Sequence, residues 1–311
     1  MIMDRRSFIA TGLAAGAAIS TVVASSVVKA QDKPAASTAT GGKFKMKYAP
    51  SFGSFPNLGG KDQIGQLQFM ADQGFSAVFD NGMMGRSPEE QEKIAKELER
   101  LGMTLGPFVA HADFGKRDYV HSDQETRDAI KATMQSAVET AKRTNCKWAL
   151  VVPGAYSTSL EWDYQTANVI ENLKVAAGVC EPSGLIIVIE PLNPHDHPGL
   201  FLTKIPQAYQ ICRAVGSPSC KIINDIYHQQ ITEGNLIPNI DRAWSEIAAF
   251  HLGDNPGRQE PGTGEINFKN IFKHLSKKGY QGVLCMEHGV SKRGAEGEKA
   301  LIEAYKACDS F

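Results

Sequence analysis

Short apolar runs of strand type alternate with amphipathic runs of helix type from residue 44 to the end of this 311-residue chain. Such strict alternation predicts a parallel sheet, because each helix returns the chain to the edge where the next strand begins. About eight strand–helix units fit the length after residue 42, which favours one closed (β/α)8 barrel over 43–311 rather than an open doubly wound sheet. No GxGxxG follows the first strand, so a dinucleotide-binding fold has little support.

Local signals set several of the element boundaries. Ser87 followed by Pro88 and two glutamates is typical of a capped helix start, and Gly102 predicts the end of that helix. Residues 103–110 are predicted to form the third strand as one piece. A long helix is predicted over Ser122–Thr144, with Ser122 as its N-cap.

Four polar residues each close an apolar, strand-like run in the second half of the chain: Glu190, Asp225, His251 and Glu287. Loop-like residues are expected after each of them. The carboxyl ends of barrel strands meet at one mouth, so these side chains should converge there. The alternative is four separate polar residues where strands exit to solvent. Their occurrence at successive strand ends favours a shared site for a divalent cation, Mn²⁺ first and Mg²⁺ or Co²⁺ as alternatives.

Further polar and aromatic residues lie in the predicted mouth loops. His228 follows Asp225 by three residues, and Arg258 lies in the loop after the seventh strand, where a cation would attract anionic or polyhydroxy substrates. Weaker candidates for the pocket, for which loop hydrogen bonds or packing are equally good explanations, are Asn193, Asp196, His111, Glu260, Phe114, Tyr156 and Trp162.

These motifs together resemble one enzyme family. The segments concerned are Ile189-Glu190-Pro191-Leu192-Asn193, Asp225-Ile226-Tyr227-His228, Gly253-Asp254-Asn255-Pro256-Gly257-Arg258 and Met286-Glu287. They are similar to hydroxypyruvate isomerases, a branch of the xylose-isomerase-like barrels that also include the ketose 3-epimerases. His251 stands where many hydroxypyruvate isomerases have Gln, and is more like the epimerases.

The resemblance implies roles for the residues that match it. Glu190, Asp225, His251 and Glu287 would bind the metal, and Glu190 and Glu287 would also act as the acid/base pair. His228 and Arg258 would hold the oxygens of the substrate, with Asn193 and Asp196 as further substrate contacts.

The expected activity is isomerisation of a small hydroxy-keto acid or sugar through an enediolate stabilised by a divalent metal. Epimerisation, or elimination from a keto-sugar, would begin with the same proton abstraction and stays open. A non-catalytic, exported carbohydrate-binding barrel is the alternative from another class. The net charge of −1 argues against nucleic acid as a partner, and a homo-oligomer stays open.

The N-terminus predicts export. Asp4-Arg5-Arg6-Ser7-Phe8-Ile9 is a twin-arginine pattern, and a weakly apolar stretch leads to a cleavage site after Ala30. A membrane anchor is the alternative, but the glycines, serines and threonines of this stretch make it a poor span. We therefore expect a signal peptide over 1–30, a flexible linker over 31–42, a periplasmic barrel and no stable membrane insertion after cleavage.

The six cysteines form no CxxC pair, which argues against a zinc ribbon or a thioredoxin-like site. Most of them lie within apolar strand or helix patterns, so we expect buried free thiols and no catalytic cysteine.

Overall fold

The computed structural model describes residues 43–311, so the expected signal peptide 1–30 and linker 31–42 lie outside the described residues. The strands are β1 (Lys47–Ala49), β2 (Ala77–Val78), β3 (Thr104–Leu105), β4 (Phe108–His111), β5 (Trp148–Val151), β6 (Ile186–Ile189), β7 (Cys220–Asp225), β8 (Ile247–Leu252) and β9 (Val283–Met286). The α-helices are α1 (Gln63–Asp72), α2 (Pro88–Leu101), α3 (Gln124–Thr144), α4 (Trp162–Cys180), α5 (Ile205–Val215), α6 (Ile226–Thr232), α7 (Leu236–Ala243), α8 (Phe268–Lys277) and α9 (Gly294–Cys308).

The strands curl into a parallel barrel. Seven of them pair in the order β1-β9-β8-β7-β6-β5-β4, and β2 pairs with β3. The segment of β2 closes the barrel between β1 and β4. Ser51, just after β1, pairs in parallel with Phe79, just after β2. The N–H of Val109 in β4 donates to the Asn81 carbonyl at 3.2 Å. The predicted TIM-barrel fold is therefore confirmed over the described residues.

The prediction of one continuous third strand over 103–110 was wrong. Gly106 and Pro107 divide it into β3, which pairs with β2, and β4, which pairs with β5. Proline has no N–H to donate to a neighbouring strand. Gly106 lies where a Cβ atom would be 3.0 Å from the Cβ of Phe79 and 3.1 Å from the sulfur of Cys285. The strand breaks at the point where the barrel interior has no room for a side chain.

Helix ends follow the sequence signals with one exception. Ser87 and Glu90 form the full capping box of α2, and Gly102 ends that helix in the left-handed conformation. The N-cap of α3 is Asp123, whose carboxylate accepts from the Thr126 N–H, and not Ser122 as predicted. A carboxylate at this position also interacts favourably with the helix dipole.

The core has two layers. An inner cluster fills the barrel and includes Ala49, Leu150, Val188, Ile223 and Ala249. A larger outer cluster joins the opposite faces of the strands to the helices. The six cysteines are free thiols, and all but Cys308 are buried, as expected. No helix of the described part is long and apolar enough to cross a bilayer.

Candidate active site

Strand alternation explains how the four predicted ligands reach one point. Val188 of β6, Ile223 of β7, Ala249 of β8 and Cys285 of β9 all belong to the inner core. Side chains two positions apart on a strand share a face. The next inward position on each strand is therefore Glu190, Asp225, His251 or Glu287. The barrel interior changes from apolar to charged within one step along four adjacent strands.

The four side chains converge closely. One ligand atom from each of them lies within 4.8 Å of the others. His251 Nδ1 lies 2.8 Å from Glu190 Oε1 and 3.1 Å from Glu287 Oε2. Asp225 and His251 are directly paired in register between β7 and β8. Glu190, Asp225 and His251 are buried, and Glu287 lies at the edge that opens to solvent.

The expectation of a loop after each ligand was wrong for Asp225. This residue ends β7 and is also the N-cap of α6, because its Oδ1 accepts from the Tyr227 and His228 N–H groups at 2.8 and 3.2 Å. The second oxygen, Oδ2, stays directed to the centre of the site. Helix α6 therefore fixes the orientation of Asp225 and places His228 beside the Asp225 carboxylate.

Arg258 reaches into the same cluster. Its guanidinium donates to Glu287 Oε2 at 2.7 Å and to Asp225 Oδ2 at 3.1 Å. It also lies over the ring of Tyr227, 4.9 Å from the centroid. Arg258 has a φ of 49°, in the left-handed region that non-glycine residues rarely adopt. This conformation directs the side chain inward from the loop after β8.

A buried carboxylate holds that loop in place. Asp254 accepts four backbone N–H groups at 2.8 to 3.0 Å, from Asn255, Gly262, Gly264 and Ile266. A Cβ at Gly264 would lie 2.3 Å from the Asn255 carbonyl oxygen, so the loop closes tightly on itself. Asp254 was not singled out from the sequence, although it belongs to the Gly-Asp-Asn-Pro-Gly-Arg segment.

His228 is fully buried beside Asp225, with Nε2 3.5 Å from Asp225 Oδ2. Its Nδ1 lies 2.7 Å from the amide nitrogen of Asn193 and 3.4 Å from the Asn193 backbone nitrogen. Both Asn193 groups are donors, so Nδ1 accepts and the proton of the neutral ring lies on Nε2. His228 thus presents an N–H toward the site.

Asn193 and Asp196 have partners within the protein. The Asn193 amide also donates to Asp196 Oδ2 at 3.0 Å, and Tyr227 Oη donates to the same oxygen at 2.8 Å. Asn193 is buried, whereas Asp196 is partly exposed. The geometry makes Asn193 a support for His228, and a direct contact of either residue with substrate stays a prediction.

Asn81 is a site residue that the sequence analysis missed. It follows β2, and its amide donates to Glu287 Oε1 at 2.7 Å. Phe79, at the end of the same strand, packs against the ring of His251 with centroids 5.8 Å apart. The available signal was position alone, since Asn81 lies in the loop after β2, at the barrel mouth.

Burial and mutual charge shift the titration of the cluster. Burial raises the pKa of Glu190 to about 7, although the His251 imidazole opposes this rise. Burial alone would lower the pKa of His251, but the charges of Glu287 and Glu190 outweigh it and raise that pKa well above its usual range. Burial would raise the pKa of Glu287, but His251 and Arg258 hold it below its usual range. The two positive groups thus offset the carboxylate charge.

The weaker candidates lie around the mouth. His111 ends β4 and contacts the Tyr119 ring, 5.3 Å between centroids. Glu260 accepts from the Ser291 N–H at 2.8 Å and from its hydroxyl, so it joins two mouth loops. Phe114, Tyr156 and Trp162 are exposed.

Comparison with known proteins identifies the family. Residues 67–309 match the model of the xylose isomerase-like TIM barrels, and the chain belongs to that family. The hydroxypyruvate isomerase of Escherichia coli (strain K12) is 34% identical over 167 residues, which are 53% of this chain and 63% of that protein. The 2-oxo-tetronate isomerase of Cupriavidus necator is 34% identical over 198 residues, 63% of this chain and 76% of that protein.

Solved structures show the same fold. A protein described as AP endonuclease, family 2, from Brucella melitensis superposes with a TM-score of 0.69 at 22% identity, covering 81% of this chain and 96% of that one. The 3-keto-D-glucoside 4-epimerase of E. coli superposes with a TM-score of 0.67 at 18% identity, covering 86% and 100%.

Proposed function

We propose that this protein is a divalent-metal-dependent isomerase of a small hydroxy-carbonyl compound, a hydroxy-keto acid or a sugar. The observation that carries the proposal is the convergence of Glu190, Asp225, His251 and Glu287 within 4.8 Å at the barrel mouth. The matched relatives named hydroxypyruvate isomerase and 2-oxo-tetronate isomerase support the reaction class.

The donor set fits a divalent cation. Three carboxylates meet two positive groups here, so His251 and Arg258 offset only part of the carboxylate repulsion and a bound cation would relieve the rest. Carboxylate oxygens with one imidazole suit Mn²⁺ best, with Mg²⁺ and Co²⁺ as alternatives. Glu190, Asp225, His251 and Glu287 would hold the ion. When bound, it would polarise a substrate carbonyl and make the adjacent C–H more acidic.

The remaining chemistry belongs to side chains of this chain. Glu190 and Glu287 both lie within 3.1 Å of His251 Nδ1, and they form the pair that removes and returns the substrate proton. The Arg258 guanidinium and the Nε2–H of His228 are donors for the substrate oxygens, where negative charge develops.

The position to which the proton returns decides the product. Return to the neighbouring carbon gives isomerisation, and return to the opposite face of the same carbon gives epimerisation. Epimerisation is the second candidate, favoured by His251 in the ligand set and supported by the fold shared with a 3-keto-D-glucoside 4-epimerase. Elimination from a keto-sugar and non-catalytic carbohydrate binding are the remaining alternatives.

The test is solvent deuterium uptake. Keto-acids, free sugars and 3-keto-sugars are incubated with the Mn²⁺-loaded protein in D₂O and followed by NMR. We expect uptake at the carbon next to a carbonyl, and its loss in Glu190→Gln and Glu287→Gln. Glu161→Gln is the control, because Glu161 is an exposed carboxylate at the start of α4 with no side-chain cap hydrogen bond. Tight sugar binding without any uptake would instead favour a binding protein, and full activity of both variants would exclude this mechanism.

We also propose export to the periplasm by the twin-arginine route, based on Arg5 and Arg6 in the N-terminal pattern. Expression in the native cell of the full chain and of an Arg5→Lys/Arg6→Lys variant tests it. The wild type should fractionate with the periplasm and the variant should stay inside the cell. Equal distributions would argue against this route.

A further inference from the structure

Exposed aromatic side chains gather on one side of the barrel mouth. In residues 43–311, the side chains of Phe114, Trp162 and Tyr156 are 47%, 45% and 36% exposed. Phe114 follows β4, whereas Tyr156 and Trp162 follow β5. Exposed apolar groups that cluster in this way mark a binding surface more often than isolated ones do.

These residues take part in two separate series of ring contacts, one of which reaches the active site. Phe114 contacts His197 edge-on at 5.0 Å between centroids, and His197 contacts His228 at 5.3 Å. Trp162 lies beside Tyr156 at 5.8 Å and stacks on the buried Phe201 at 5.0 Å. We call Phe114, Tyr156 and Trp162 the aromatic rim. Its Phe114 side connects through His197 to His228, the histidine that faces the reacting group.

Hydrogen bonds between three loops hold the aromatic rim in place. The Ala155 N–H donates to the Lys116 carbonyl at 2.7 Å, and the Tyr156 N–H donates to the Gly199 carbonyl at 3.0 Å. Gly154 adopts a φ of +86°, and a Cβ there would lie 2.5 Å from the Lys116 oxygen. The loops after β4, β5 and β6 therefore form one framework. Rings presented on a fixed framework lose little conformational freedom when a ligand binds.

The inner site and the aromatic rim differ in chemistry. The inner site consists of carboxylates, His228 and Arg258, which are groups for the oxygens of the reacting unit. The aromatic rim offers flat apolar faces. A three-carbon keto acid held by Arg258 and His228 is too short to extend past His197 to Phe114, so it would leave these faces in water.

We propose that the aromatic rim is a subsite for a second sugar ring, and that the substrate is a keto-sugar carrying a glycosyl substituent. This inference rests on the proposed function and selects the sugar among its substrate classes. A hexopyranose has one face of C–H groups, which packs on Trp162 and Phe114 while the ring hydroxyls stay in water. The reacting hydroxy-carbonyl unit then lies at Arg258 and His228.

The experiment compares D-fructose with maltulose, which is fructose bearing one additional glucosyl ring. Binding of each to the Mn²⁺-loaded protein is measured by isothermal titration calorimetry. We expect maltulose to bind about tenfold more tightly, the gain typical of one stacked ring. Trp162→Ala and Phe114→Ala should remove this gain and leave the affinity for fructose unchanged.

Tyr164→Ala is the matched control. Tyr164 is an aromatic residue two positions after Trp162 on α4, 66% exposed, on the outside of the aromatic rim. Its removal should leave the gain for maltulose intact. Circular dichroism of each variant checks that the fold is kept. If an alanine variant does not keep it, the milder Trp162→Leu and Phe114→Leu variants are used in its place.

Three results would overturn the proposal. These are equal affinities for the two sugars (or no binding of either), a gain that persists in both rim variants, and a dimer that dissociates when Trp162 is replaced. The last result would assign the aromatic rim to a second copy of the chain. The affinity ratio needs no turnover, so a lack of deuterium uptake would reject the proposed function separately from this subsite.

Discussion

The guanidinium of Arg258 donates to the Glu287 carboxylate at 2.7 Å, and the same nitrogen lies 3.1 Å from Asp225. One side chain thus contacts two of the four proposed metal ligands. A third contact, from Nε to the Glu287 carbonyl at 3.2 Å, fixes the plane of the guanidinium. This geometry requires a planar, forked donor, and a lysine ammonium is a point charge that cannot reproduce it.

Arg258→Lys should therefore reduce kcat/KM by at least about tenfold while the fold is kept, since one charge-assisted contact is worth about 1.5–3 kcal/mol. Steady-state kinetics on a compound that takes up deuterium provide the measurement. Arg213→Lys is the control, because Arg213 is largely exposed in its pair with Glu246 and should tolerate the change. An unchanged kcat/KM for Arg258→Lys would show that the planar guanidinium of Arg258 has no part in turnover.

Asp254 should stabilise the loop after β8 that carries Arg258. In Asp254→Asn, one carboxylate oxygen becomes an NH₂ group that faces backbone N–H donors, and because each oxygen accepts two of them, two of the four hydrogen bonds are lost. We expect a loss of about 1.5–3 kcal/mol in the free energy of unfolding, measured by urea denaturation. Asp241→Asn, in an exposed ion pair with Lys278, should cost less than about 1 kcal/mol. Equal losses in the two variants would contradict the role of Asp254.

The Asn193 amide should determine the tautomer of His228. Because Asn193 donates to Nδ1, nitrogen NMR of the labelled protein should show the His228 proton on Nε2 at neutral pH. Asn193→Asp places an acceptor beside Nδ1, and the proton should move to Nδ1. Turnover should fall with it, because Nε2 then has no proton for the substrate oxygen. An unchanged tautomer in the variant would mean that another group holds the ring.

The site residues on the barrel strands were easier to predict from the sequence than the structure of the loops that follow them. Short apolar runs end directly at Glu190, His251 and Glu287, so the end of each run was enough to predict these positions. The helix that Asp225 caps has only seven residues, which is too short for a helical pattern to show. The Asp225 carboxylate could be a metal ligand or a helix N-cap, and in the structure it has the geometry of both.

Contacts made across the fold could not be predicted. Asn81 contacts Glu287 from the other end of the chain, and nothing near Asn81 in the sequence indicates that contact. The inward direction of Arg258 depends on a left-handed φ that the Asp254 loop imposes. The break of the third strand at Gly106 depends on the side chains of Phe79 and Cys285 across the barrel. In each case the missing information was a tertiary contact.

Metal binding should stabilise the folded protein. A ligand that binds only the native state at about 100 times its Kd adds about 2.7 kcal/mol, so Mn²⁺ should raise the Tm and a chelator should reverse the rise. Asp225→Asn keeps an N-cap for α6, because asparagine is an equally good cap, but removes a ligand charge. The Mn²⁺ effect should shrink strongly in that variant. Asp128→Asn, on the exposed face of α3, should keep it in full. A similar Tm rise in all three proteins would argue that the ion binds elsewhere.

His111 should make stability depend on pH. Burial lowers the pKa of its imidazole, and its Nε2 has no hydrogen-bond partner among the described residues. Below the usual histidine pKa of about 6.5 the unfolded chain binds a proton that the folded chain resists, so stability is lost as the pH falls. His111→Phe keeps the ring packed on Tyr119 and removes the titration. The drop in Tm between about pH 8 and about pH 5.5 should therefore be smaller in His111→Phe than in the wild type. His121→Asn, at an exposed histidine, is the control and should behave like the wild type. An equal drop in wild type and His111→Phe would assign the acid sensitivity to other groups.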